Sequence, residues 1–160
     1  MSDDNEAPKE QDVTKETLLQ IAHNAAAFAY VPYSRFRVGA AVLCEDGTVI
    51  TGANVENRSY GLTICAERTA IVSAVSAGHT SFRALAISTP DADEPVGPCG
   101  ACRQVIREFA APEMPVYCED AENPGTAIID TTAGALLPFD SLHGLGSPGP
   151  NPAADPNPGE

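Results

Sequence analysis

The sequence predicts an α/β domain in which a mixed sheet is covered by helices. Three features point that way: apolar positions at helical spacing near the start, a strand–turn–strand signal next, and then helical and strand-like runs in alternation. In the first helix Leu18, Ile21, Ala22, Ala25 and Phe28 recur at helical spacing, Thr14 is placed to cap it, and Phe28 is expected in the core. Residues 36–43 form a small-residue and Val-rich run, and Asp46-Gly47 turns it back into residues 48–53 as a hairpin. A second helix covers residues 65–77, with Ala66, Ala70, Ile71, Ala74 and Val75 apolar and Gly78 as its stop. Residues 84–88 read as a buried strand. Residues 99–110 read as a helix that turns Val105, Ile106 and Phe109 inward. Short strands are expected at 115–118 and 127–130, and a last short helix follows Thr132 as far as Leu136-Leu137.

With 160 residues the chain suits one domain with a single core. Residues 1–12 read as a disordered lead and the Pro/Gly-rich residues 144–160 as a flexible tail, leaving 13–143 as the folded domain. Lys and Arg total 9 against 22 Asp and Glu, a formal net charge of −13. Such a surface repels a polyanion, so nucleic acid is excluded as a partner. The acid is spread through the body of the chain, as expected of a solvated surface or of adaptation to a very salty cytoplasm, where ions screen self-repulsion. No run approaches the ~20 apolar residues that span a bilayer, which excludes a membrane partner. The acidic start, Met1-Ser2-Asp3-Asp4, is unlike a secretory leader, so a cytoplasmic location is expected.

Five cysteines in a reducing compartment point to thiols or metal ligands. Cys99 and Cys102 lie one helical turn apart and Cys65 lies 34 residues before Cys99, each group at the start of a predicted helix. A helix N-terminus favours thiolate over thiol. Three thiolates suit a tetrahedral ion such as zinc with its fourth position open, the catalytic arrangement, in which the metal acidifies water toward a pKa of about 7. Glu67, two residues after Cys65, is placed to accept that water's proton. Cys44 and Cys118 fall in strand-like runs and are expected to be inert core thiols. His23, His79 and His143 lack ligand spacing and are expected at the surface or in packing.

The zinc pattern, with Tyr33-Ser34-Arg35-Phe36-Arg37-Val38-Gly39-Ala40-Ala41, Asn54-Val55-Glu56-Asn57 and Cys65-Ala66-Glu67-Arg68-Thr69-Ala70, resembles the small homotetrameric cytidine deaminases over about residues 14–138. The resemblance implies a three-layer α/β/α sandwich around a mixed five-stranded sheet. It also implies one zinc per subunit on Cys65, Cys99 and Cys102, with Glu67 as the proton shuttle. Asn54 and Glu56 then bind the ribose hydroxyls, the Ala66 backbone N–H holds the pyrimidine O2, and Phe36 lines the base pocket. The implied reaction adds activated water to C4 while Glu67 protonates N3 and then the departing amine. Cytidine and 2′-deoxycytidine become uridine and 2′-deoxyuridine with release of ammonia, a step of pyrimidine salvage. Arg68 is implied to draw charge from the ligand sulfurs and so restore the metal's acidity. Phe139 follows Leu136-Leu137-Pro138 at an unusual offset and is the candidate for a base contact across a subunit boundary.

Other readings of these residues remain open at the level of sequence. A deaminase of a cytosine-nucleoside antibiotic would share the zinc signature without needing Asn54 and Glu56. A non-catalytic zinc module would need a fourth donor, for which Cys118 is the candidate. A redox dithiol would leave Cys65 and Glu67 without a task.

Overall fold

The computed structural model describes residues 13–140; the expected lead at 1–12, tail at 144–160 and His143 lie outside them. Helix α1 (Lys15–Ala25) begins on Thr14, whose hydroxyl accepts from Thr17 N at 3.2 Å. Strands β1 (Gly39–Cys44) and β2 (Val49–Ala53) form the expected hairpin, with Gly47 at φ +88° in its turn. Helix α2 (Ala66–Ser76) leads to β3 (Phe82–Thr89), then α3 (Gly100–Phe109), β4 (Pro115–Asp120), β5 (Ile129–Thr132) and α4 (Ala133–Leu136). The sheet order is β2-β1-β3-β4-β5, with β3 and β4 parallel and every other neighbouring pair antiparallel. The fold is therefore a three-layer sandwich around a mixed five-stranded sheet.

Both faces of the sheet are covered. Ala40, Val42, Leu85, Ile87 and Val116 pack against α2, α3 and α4. Ala41, Leu43, Ala84 and Ala86 pack against Leu18, Leu19 and Ala22 of α1. With both faces covered, the central strands β1 and β3 read in the sequence as nearly continuous apolar runs rather than alternating ones. A buried pair, Arg107 Nε to Asp140 Oδ2 at 2.9 Å, ties the segment after α4 back to α3.

Two expectations shift. Phe28 is not core: it is 84% exposed, because α1 closes in a 3-10 turn over Ala26–Phe28 that takes the next residues off the helical stripe. Leu19, fully buried, fills that face instead. The last strand lies two residues later than expected, since Ile129 pairs with Cys118 and the Pro/Gly-containing connection before it does not enter the sheet.

The helices lie unusually close to the sheet. A Cβ on Gly39 would sit 2.0 Å from Ala22 O, and one on Gly52 would sit 2.4 Å from Ala70 N and 2.5 Å from Ala66 O. Gly52 therefore sets how deeply the first turn of α2 sinks onto β2, and with it where Cys65 and Glu67 stand. Gly52→Ala is expected to destabilise the protein by about 1–3 kcal/mol, as overpacked cores do, read as a lower urea midpoint.

Candidate active site and metal centre

Cys65 is the N-cap of α2 and Cys99 the N-cap of α3, and neither side chain is spent on capping its helix. Their sulfurs are 3.9 Å apart, Cys99 and Cys102 are 3.5 Å apart, and all three lie within 4.8 Å of one another. A disulfide needs about 2.05 Å. Tetrahedral zinc with bonds of about 2.3 Å spaces its sulfurs by about 3.8 Å. The donor set thus fits zinc in chemistry and spacing. Cys118, fully buried in β4, is outside the cluster, so no fourth thiol closes the site among the described residues.

Charge is organised around this tripod. The Cys65 thiol is pulled down to about 5, by its hydrogen bond with Cys102 first and then by Arg68 and Cys99. Cys102 moves up in return, because it neighbours the thiolate and is buried. Arg68 Nη2 donates to Cys65 Sγ and to Thr63 O, both at 3.4 Å. Its guanidinium is raised by Cys65 first, with Cys102 adding to the effect. A half-buried cation beside the sulfurs of Cys65 and Cys102 matches a thiolate at Cys65. Glu67, 5% exposed, has its carboxyl pushed up by burial and further by Cys65. Burial drives the Cys118 thiol to about 12 and raises that of Cys44, in keeping with inert core thiols.

A cavity of about 410 Å³ opens onto the tripod. Cys65, Cys99 and Glu67 form its metal end, while Phe36, Val38, Ile87 and Val96 supply apolar walls. Asn54, Glu56 and Ser34 line it as well. Asn54 takes Val38 N on Oδ1 and gives Nδ2 to Phe36 O, both at 2.9 Å, so it also braces the wall that carries Phe36. Glu56 Oε2 accepts from Tyr33 N at 3.0 Å and Ser34 N at 3.2 Å, and Oε1 accepts from the Ser34 hydroxyl.

Of the residues singled out in the sequence, Phe36, Asn54, Glu56, Cys65, Glu67 and Cys99 share this cavity. Cys102 and Arg68 stand behind it, and Ala66 buries its methyl while contributing backbone to the first turn of α2. Phe139 is fully exposed, with φ +57°, and does not line the cavity of its own chain.

Sequence reasoning missed three features. Ser34 lies within the Tyr33–Ala41 motif, but nothing in its spacing points to Glu56. Arg37 forks onto Asp91, 54 residues away, through its backbone N, Nε and Nη2 at 2.9, 2.9 and 2.6 Å, a pairing with no local signal. His79 packs with Asp46 at 3.6 Å beside Cys44, a second group of potential ligand atoms. There Asp46 Oδ1 is engaged by Thr48 N at 3.0 Å, and the contact braces the hairpin turn against the end of α2.

Residues 12–118 match the model of the cytidine and deoxycytidylate deaminase zinc-binding region. The chain belongs to that family. Among its deaminase relatives, cytidine deaminase of Sporosarcina psychrophila is 52% identical over 77% of this chain and 88% of its own length. That of Halalkalibacterium halodurans is 48% identical over 78% and 91%. A crystal structure of cytidine deaminase from Burkholderia pseudomallei superposes with a TM-score of 0.74 at 44% identity, covering 79% of this chain and 98% of that one. As in the family, zinc is the metal of this deaminase domain. Each of Cys65→Ala, Cys99→Ala and Cys102→Ala is expected to abolish retention of one zinc per chain in atomic absorption, whereas Cys118→Ala retains it.

Proposed function

We propose that the protein hydrolyses cytidine and 2′-deoxycytidine to uridine and 2′-deoxyuridine with release of ammonia, in the manner of pyrimidine salvage. The observation that carries the reading is the buried carboxyl of Glu67 beside the three-thiol tripod, at one end of an apolar cavity that also holds Asn54 and Glu56. Zinc held by Cys65, Cys99 and Cys102 supplies a Lewis acid that activates water at neutral pH.

The chain's own residues do the rest. Phe36, Val38, Ile87 and Val96 take up a flat base and exclude bulk water, which strengthens the electrostatics inside. The Ala66 N–H, in the unpaired first turn of α2, offers a donor to the pyrimidine O2. Glu67, its affinity for a proton raised by burial, takes one from water, delivers it to N3, and then carries one to the departing amine. Arg68 draws charge from Cys65 and Cys102 and so keeps the cluster electron-poor. Asn54 and Glu56 meet the sugar hydroxyls. A carboxylate there accepts a hydroxyl and repels a phosphate, which favours nucleoside over nucleotide and over nucleic acid. The pair Asn54 and Glu56 also favours a sugar with free ring hydroxyls over the antibiotic alternative, whose deaminase would not need them.

Following cytidine by ultraviolet absorbance tests this reading. Native protein is expected to turn over, and chelation to abolish turnover. Glu67→Gln is expected to lower kcat by at least about a hundredfold, the scale of a lost acid–base group. Arg68→Gln is expected to retain zinc and lose turnover, and an unchanged kcat would remove the electronic role of Arg68. Absence of activity in zinc-replete native protein, at low and high salt alike, overturns the function.

The same reading assigns catalysis to residues 13–143 of a cytoplasmic homotetramer. No helix among the described residues is long and apolar enough to cross a membrane. Phe28, Tyr60, Leu62 and Phe139 are 84%, 74%, 64% and 103% exposed, an apolar surface suited to burial against further copies. Phe139, an aromatic held in left-handed backbone, is the candidate to reach a neighbour's base. The net charge of −13 fits a salty interior. Sedimentation and thermal melting across a salt series are expected to show a tetramer whose stability rises with salt, and full stability in dilute buffer would sink the halophilic reading.

A further inference from the structure

Glu56 stands at the rim of the cavity, half-buried, where a carboxylate on a flexible stem would ordinarily sample several rotamers. Here it does not swing freely. Its Oε2 is held by two successive backbone N–H groups, those of Tyr33 and Ser34, and its Oε1 accepts from the Ser34 hydroxyl. The same hydroxyl accepts from Phe36 N at 3.0 Å. That double engagement depends on Arg35, whose φ of +59° reverses the chain between Ser34 and Phe36. Left-handed backbone at a non-glycine residue costs about 1 kcal/mol, so a local bond network must hold it.

We propose that Ser34 is a positioning residue for the sugar end of the substrate: its hydroxyl, itself anchored by Phe36 N, fixes the orientation of Glu56. A carboxylate has about four acceptor positions. Three are occupied, which leaves one on Oε1, and an acceptor of that kind is satisfied by a hydroxyl donor. Asn54, with one N–H still to give after Phe36 O, lines the same cavity and can donate to the oxygen of such a hydroxyl. Ser34 is thus the group that presents Glu56 already aligned, so that binding need not order it. The proposal rests on the reading of Glu56 as a sugar contact.

Steady-state kinetics of Ser34→Ala with cytidine and with 2′,3′-dideoxycytidine, which lacks both ring hydroxyls, tests it. The expected result is a KM for cytidine raised about tenfold with kcat within about twofold, the scale of a lost bond to a charged group. Turnover of the dideoxynucleoside is expected to stay within about twofold, which also shows that the variant is folded. Ser34→Thr, which keeps the hydroxyl, restores the cytidine KM. In a Glu56→Gln background Ser34→Ala is expected to cost nothing further. An equal loss on both substrates assigns Ser34 to the Phe36 wall alone and overturns the proposal while leaving the deaminase reading intact; no loss on either does the same. If Glu56→Gln itself weakens both substrates equally, the sugar-contact reading fails and the proposal falls with it.

Discussion

Three sulfurs can meet at one point only if the N-termini of α2 and α3, whose first ligands stand 34 residues apart, converge over the sheet. That convergence is the constraint on which the rest of the structure depends. It is met by sinking α2 onto β2 at Gly52, where no Cβ fits, and by the crossover that carries α3 between the parallel strands β3 and β4. Two helix ends then present unpaired N–H groups and positive dipole ends to the same place, where the Cys65 thiol is already drawn toward thiolate. The row of alanines on the buried face of α2, Ala66, Ala70 and Ala74 beside Ile71, lets the helix approach closely enough.

The electrostatics follow from that geometry. Sulfurs within 4.8 Å of one another cannot all ionise without compensation, and Arg68 supplies part of it from behind the tripod. Glu67 is affected by the same cluster in the opposite sense. Burial and the nearby Cys65 thiolate both favour its protonated form, in keeping with the proton-carrying role proposed for Glu67. The overall acidity of the chain, −13, is a separate matter: it acts at the surface and leaves an uncharged substrate indifferent to it.

The other end of the cavity is built differently. Asn54 and Glu56 are both engaged with backbone of the 33–38 segment, so the residues proposed to meet the sugar also hold the segment that carries Phe36. The Arg37–Asp91 fork anchors that segment to the loop beyond β3. Under the proposed function, base and sugar recognition share this one loop.

Much of this was legible in the sequence because it is local. Thr14 as a cap, the short helix after Thr132, Asp46-Gly47 as a turn, Gly78 as a stop, and Cys99 one turn from Cys102 are each decided within a few residues. The family motifs extended that reading to Asn54, Glu56, Glu67 and Arg68. What the sequence could not decide were pairings across long separations and departures from regular period. Phe28 left the core because a 3-10 turn broke the stripe, β5 moved two residues because its pairing with Cys118 set the register, and Asp91 met Arg37 across 54 residues. The sequence by itself determined which chemical groups this protein has and which helix ends carry them. Only the tertiary structure decided that those ends converge, because convergence is set by how closely helix and sheet pack, a property of both surfaces together and of neither segment alone.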